Sequence, residues 1–363
     1  CGKSTLFMQY IDYLKNNGVS DNHIIFINFE DLKYEELNNY KALYDYIAAK
    51  ITDNNTYYIL LDEIQNVENY EKAVDSLLVK GNCDIYITGS NAYMLSGELA
   101  TLLSGRYIEI KMLPLSFKEY ASHYKNDNNS CEDLFNKYIN TSSLPYSTYF
   151  NEDTMLTNYL EDIYNSIIVK DISRRIEKID IPLLNRIVKF MFDSIGSILS
   201  INNIANKLTS SGYKVDNKTV GKYINALTDS MLFYKVERYN VKGKHILSSL
   251  EKYYAADIGI RNIKIGRKFE DLGHIIENIV FLELLRRKYE VYVGMLNDGE
   301  VDFTVFKNGN IEYYQITISL MDKNVMERET KSLKNIHDNY PKYILSLDKI
   351  GTNINDDGII HLN

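Results

Sequence analysis

The heptapeptide YYILLDE, residues 57–63, decides the fold. An unbroken run of apolar and aromatic residues that ends in two carboxylates reads as a strand buried on both faces, the habit of a parallel sheet. Open α/β sheets meet their ligands at the carboxyl ends of such strands, which puts Asp62 and Glu63 at a binding crevice. By themselves, two acids there read better as the acidic cap of the next helix, and it is what stands about sixty residues earlier that reverses this.

The chain opens about sixty residues earlier with CGKST, residues 1–5, whose Gly-Lys-Ser matches the end of the phosphate-binding pattern G-x-x-x-x-G-K-[ST]. The first glycine of the pattern is absent. Leu6, Phe7, Tyr10, Ile11 and Leu14 follow at the spacing of one helical face, and Asn16-Asn17-Gly18 is a stop signal. Gly-Lys-Ser therefore opens a helix, whose first N–H groups and positive dipole end suit phosphate oxygens. In that pattern Cys1, Gly2, Lys3, Ser4 and Thr5 line the nucleotide, with Lys3 reaching the β and γ phosphates. The Ser4 hydroxyl would ligate Mg²⁺, Asp62 would hold the same ion directly or through water, and Glu63 would polarise the attacking water. A helix N-cap with no ligand is the plain alternative for the tripeptide taken alone.

A third strand, DIYITGSN at residues 84–91, also ends in small polar residues. Three strands with polar tips, separated by helical stretches, predict a doubly wound α/β sheet with one crevice.

Three segments together, INFEDLKY (27–34), YILLDEIQNVENYEKAVDSLL (58–78) and ITGSNAYMLSGELATLLSGRYIEIKMLPLSFKEY (87–120), resemble the prokaryotic AAA-type ATPases that carry a winged helix and a nuclease-like carboxy-terminal domain. The resemblance implies an ATP- and Mg²⁺-dependent core over 1–112, a helical lid over 113–181, a winged helix over 182–258 and a restriction-endonuclease-like domain over 259–363. It implies that Ser90 or Asn91 orients the lytic water. It also places Arg106, ahead of an expected strand from Tyr107 to Ile110, where related ATPases have an arginine finger; an ordinary surface ion pair is the alternative. The family pattern further needs a strand and a glycine-rich half-loop ahead of Cys1, so the chain is expected to have lost its natural amino terminus.

From Pro182 three short helical patterns, 183–195, 201–211 and 218–231, precede two strand patterns around Gly243, the order of a winged helix. Residues 182–252 hold eleven Lys and Arg against five Asp and Glu, a local +6 in a chain of −8, which leaves −14 for the remainder. Such asymmetry suits contact with the phosphates of duplex DNA, and Asn217, Lys218, Thr219, Lys222, Tyr223 and Asn225 are the residues expected to make it, together with the wing. Winged helices also bind proteins, and Lys-rich helices are commonly only solvated.

The apolar helix around Glu277, the strand with Asp302 and the strand with Gln315 follow the order of a restriction-endonuclease-like fold. Its metal site uses two acids and then [DE]-x-K. Here Gln315 and Thr317 stand at the last acid and the lysine, and neither supplies the charge that phosphodiester hydrolysis needs. Glu277, Asp302 and Gln315 are therefore expected to form a vestigial centre, which only Lys323 or Arg328 could repair.

Composition is that of a globular chain, with 45% hydrophobic and 25% charged residues. Three scattered cysteines, Cys1, Cys83 and Cys131, fit neither a disulfide framework nor a zinc site and suit a reducing cytoplasm. No apolar run reaches the length of a membrane span. The favoured expectation is an ATP hydrolase that repositions a DNA- or protein-binding module, with a homo-oligomer among its admissible states. An ATP-gated switch with negligible turnover and an ATP-regulated nuclease are the alternatives.

Overall fold

The computed structural model describes residues 2–89, 106–124, 129–150, 152–173, 176, 178–349 and 357–363. The chain divides into two compact units, Cys1–Met112 and Leu113–Asn363.

In the first unit, strands β1 (Ile24–Asn28), β2 (Tyr57–Asp62) and β3 (Cys83–Ile87) form a parallel sheet in the order β1-β2-β3. Side chains alternate across it. Leu60 packs with Phe7 and Ile11 of helix α1 (Lys3–Asn16) on one face. Ile59 and Leu61 pack with Leu43 and Ile47 of α2 (Tyr40–Ala48) and Val74 and Leu77 of α3 (Tyr70–Val79) on the other. This is the three-layer doubly wound arrangement expected, and it explains why β2 is apolar on both faces. Leu6 departs from the expected face of α1, because the buried stripe runs 7, 11, 14 and leaves Leu6 on its exposed shoulder. The α1 stop is as read, with Gly18 at a positive φ of 86°.

The expected strand from Tyr107 to Ile110 is not formed, and Ile108 is 92% exposed. Alternating apolar residues make a strand only when a neighbour completes the ladder. No described strand lies beside residues 107–110, and among the described residues β3 pairs only with β2.

The second unit contains one eight-stranded sheet in the order β11-β10-β9-β8-β7-β5-β6-β4. These strands are β4 (Ile198–Leu199), β5 (Phe233–Asn240), β6 (His245–Ala255), β7 (Glu290–Leu296), β8 (Gly299–Lys307), β9 (Asn310–Ile316), β10 (Lys342–Leu345) and β11 (Ile359–Leu362). Helices α4 (Phe117–His123), α5 (Cys131–Asn140) and α6 (Asp153–Ser166) come first, and α4 and α5 each open with a complete capping box, from Ser116 with Glu119 and from Ser130 with Asp133. Helices α7 (Ile181–Asp193), α8 (Ile201–Ser210) and α9 (Asn217–Asp229) then precede the antiparallel β5–β6 hairpin, with β4 paired to β6.

Two ties join the stretches expected to be separate. Buried Asp257, cap of α10 (Ile258–Ile265), accepts from the N–H and hydroxyl of Ser143, the hydroxyl of Ser142 and the N–H of Ile260. The hairpin continues into the carboxy-terminal strands, since β5 pairs in parallel with β7 through Arg238–Val293, Tyr239–Gly294 and Asn240–Met295. One core cluster gathers on α11 (Leu272–Arg286) and another on α12 (Lys323–Lys334).

Candidate functional site

The tips of β2 and β3 and the start of α1 converge. Gly2 holds φ of 80° at the cap of α1, which lets the chain turn straight into the helix at Lys3. The Lys3 ammonium donates to the carbonyl of Gly89 at 2.7 Å. One residue earlier, the Thr88 hydroxyl donates to Asp62 Oδ1 and accepts from the Glu63 N–H at 3.2 Å. The ladder is also continued across the tips, with the Thr88 N–H on the Leu61 carbonyl and the Ile64 N–H on the Thr88 carbonyl. Lys3, Asp62 and Glu63 are thus gathered around two consecutive residues, Thr88 and Gly89.

Asp62 is fully buried, and its Oδ2 has no hydrogen-bond partner among the described residues. A buried orphan acceptor carries a desolvation cost that a cation or its water would relieve. Glu63 stands at φ 55°, a left-handed conformation rare outside glycine and costly enough to mark a constrained position. Its Oε2 accepts from the Gln65 side-chain amide at 2.5 Å. Thr88 and Gln65 were not among the residues singled out from sequence. The signal for Thr88 was present, as the first polar residue after a strand of the same sheet; Gln65 had none.

Ser4 and Thr5 lie exposed on the first turn of α1, beside Lys3. Arg106 is exposed and outside regular structure. Cys1, Ser90 and Asn91 fall outside the described residues.

In the second unit, α9 presents Asn217, Lys218, Lys222 and Asn225 exposed along one side, with Asp216 capping the helix through the Thr219 N–H. Tyr223 is not presented. It is 4% exposed and its hydroxyl accepts from the Asp180 N–H at 2.9 Å, because the core stripe of α9 runs through 220, 223, 224 and 227. The hairpin turn adds exposed Lys242 and Lys244.

Glu277, Asp302 and Gln315 do come together, on α11, β8 and β9, at a cavity of about 820 Å³. Lys252 of β6 enters the same group, 2% exposed, donating to Glu277 Oε1 at 3.2 Å and pairing with Glu300 Oε1 at 2.9 Å. Burial works against its charge, but Glu277, Asp302 and Glu300 around it push its pKa above the usual lysine value. Burial alone would raise the Glu277 carboxyl; the hydrogen bond from His274 and the Lys252 ammonium hold it below its ordinary value. Burial and the neighbouring Glu277 push Asp302 well up. Lys323 and Arg328 do not fill the lysine position: Lys323 is exposed and Arg328 pairs with Glu329. Lys252 was missed because a motif is read along one strand, whereas β6 reaches this point through the fold.

Residues 1–121 match the family described as an AAA domain, and residues 132–271 match a domain of unknown function (DUF8612). An uncharacterized protein of Haemophilus influenzae is 40% identical over 349 residues, covering 95% of this chain and 86% of its own. An uncharacterized protein of Methanocaldococcus jannaschii is 30% identical over 381 residues, covering 98% of this chain and 80% of its own. Among solved structures, a Walker-type ATPase of Pyrococcus abyssi is 13% identical at a TM-score of 0.39, over 70% of this chain and 75% of that one.

Proposed function

Because the chain belongs to one family with the uncharacterized proteins of Haemophilus influenzae and Methanocaldococcus jannaschii, and its own residues 1–121 match an AAA domain of the P-loop ATPase kind, we propose that residues 1–112 bind ATP with Mg²⁺ and hydrolyse it. The observation that carries the reading is the meeting of Lys3 and Asp62 at neighbouring residues of one strand tip. The start of α1 offers N–H groups and a dipole end to the phosphates, and Lys3 exchanges the Gly89 carbonyl for phosphate oxygens. Ser4 and the unpartnered Oδ2 of Asp62 are the oxygens that would hold the metal. Bound there, Mg²⁺ offsets charge on the transferring phosphoryl group.

Glu63 is the base in this proposal. It takes a proton from the attacking water as the water oxygen bonds to the γ phosphorus and the bond to the bridging oxygen breaks, giving ADP and phosphate. Thr88 holds both acids in register, Ser90 or Asn91 orients the lytic water, and Arg106 stabilises the charge of the transferring phosphoryl group. Nucleotide exchange then repositions the helices and hairpin of residues 182–258, whose Lys218, Lys222, Lys242 and Lys244 suit duplex DNA. A cytoplasmic setting and self-association belong to the same proposal.

One observation favours the second reading, a switch that binds ATP without turnover: Gln65 occupies an oxygen of Glu63. The two readings part in one experiment on the full chain. ATP-dependent phosphate release with Mg²⁺ that is lost in Glu63→Gln, with nucleotide binding kept, supports the hydrolase. Binding without release in the wild type selects the switch, and absence of binding overturns both.

A further inference from the structure

The cavity of the second unit gathers acids that a divalent ion would be expected to bridge, yet each is already engaged by the protein. Glu277 Oε1 receives Lys252 at 3.2 Å and the Tyr254 hydroxyl at 2.6 Å. Glu329 receives the Arg328 guanidinium on Oε1, at 3.0 and 2.6 Å, and the Gln315 amide on Oε2 at 2.7 Å. Asp302 Oδ2 receives the Ile316 N–H at 2.8 Å.

We infer that this cluster is closed by the protein's own cations: Lys252 takes the place of a divalent ion between Glu277, Glu300 and Asp302, and the cavity is not a metal-dependent hydrolytic centre. Mg²⁺ and Mn²⁺ seek several oxygen ligands at short range, and here they would have to strip two donors from Glu277 and three from Glu329. An ion that displaced Lys252 from Glu277 and Glu300 would leave a buried ammonium without a counter-charge, the costly half of breaking an interior ion pair. The lysine that the third strand lacks at Thr317 has therefore not been restored as a catalytic group. With its side chain 3% exposed, Lys252 is also withdrawn from any phosphodiester in the cavity. Its work is mechanical: it pins β6 of the hairpin to α11 and to Glu300 on β8. The inference concerns the second unit alone and stands whether or not the first unit hydrolyses ATP.

Mn²⁺ titration of the nucleotide-free full chain, followed by the electron paramagnetic resonance of free Mn²⁺, tests it. Wild type and Asp302→Asn should titrate alike, since any ion on the first unit is common to both. Lys252→Met should gain a further bound Mn²⁺ per chain, and its melting temperature should rise with Mn²⁺. The double variant Lys252→Met/Asp302→Asn should lose that gain. Mn²⁺ binding in the wild type that disappears in Asp302→Asn, or a folded Lys252→Met without any gain, overturns the inference. If Lys252→Met does not fold, the comparison of wild type with Asp302→Asn decides by itself.

Discussion

Thr88 donates its hydroxyl proton to one oxygen of Asp62, and the other oxygen of that buried carboxylate has no partner among the described residues. The same hydroxyl accepts from the N–H of Glu63, so one side chain aligns both acids. Thr88→Val keeps the shape and removes these bonds. We expect kcat for ATP to fall about tenfold to a hundredfold, the range of one buried hydrogen bond to a charged group, with a smaller change in KM. Thr88→Ser should restore most of it. Steady-state phosphate release on the three proteins checks this, and an unchanged kcat in Thr88→Val removes Thr88 from the site.

Lys3 rests on the Gly89 carbonyl, a neutral acceptor that phosphate outcompetes. Lys3→Ala should weaken binding of a fluorescent ATP analogue about tenfold to a hundredfold, as expected for charge-assisted bonds, and leave the melting temperature of the nucleotide-free chain nearly unchanged. Equal affinities would show that the amino end of α1 does not meet phosphate.

How much of this was legible in sequence follows from the range of the interactions. The helix at Lys3, the strand ending at Asp62 and the cavity acids Glu277 and Asp302 are read from local period and order, and the structure forms each of those elements. Residues 107–110 misled because alternation states that a strand can form, not that a partner exists. Tyr223 misled because a phenol suits a base edge and a core alike, and the stripe of α9 takes it inward. Lys252 could not be found by motif, since 50 positions separate it from Asp302 and only the sheet brings them together.

The raised pKa of Asp302 carries a sign that can be measured. An acid whose folded pKa exceeds its unfolded value of about 3.9 favours folding fully below that value, and loses this contribution as pH rises through the folded pKa. Asp302→Asn keeps an acceptor for the Ile316 N–H and cannot ionise. Its melting temperature should therefore gain on the wild type as pH rises above the unfolded value of about 3.9. A difference that is constant with pH would mean that Asp302 is not held protonated.

Lys218 and Lys222 stand exposed on the same side of α9. If they meet phosphates, Lys218→Ala/Lys222→Ala should lower the slope of log affinity against log salt by about two for any duplex sequence. Fluorescence anisotropy with a labelled duplex at several salt concentrations measures it. An unchanged slope would turn this surface over to a protein partner.

The ladder from Arg238–Val293 to Asn240–Met295 has a practical corollary. A fragment cut near residue 258 would bare the amides and carbonyls of β5 on one piece and of β7 on the other, and such naked edges recruit further strands into aggregates. Dissection of the polypeptide should accordingly spare everything from Leu113 onward as a single expression unit.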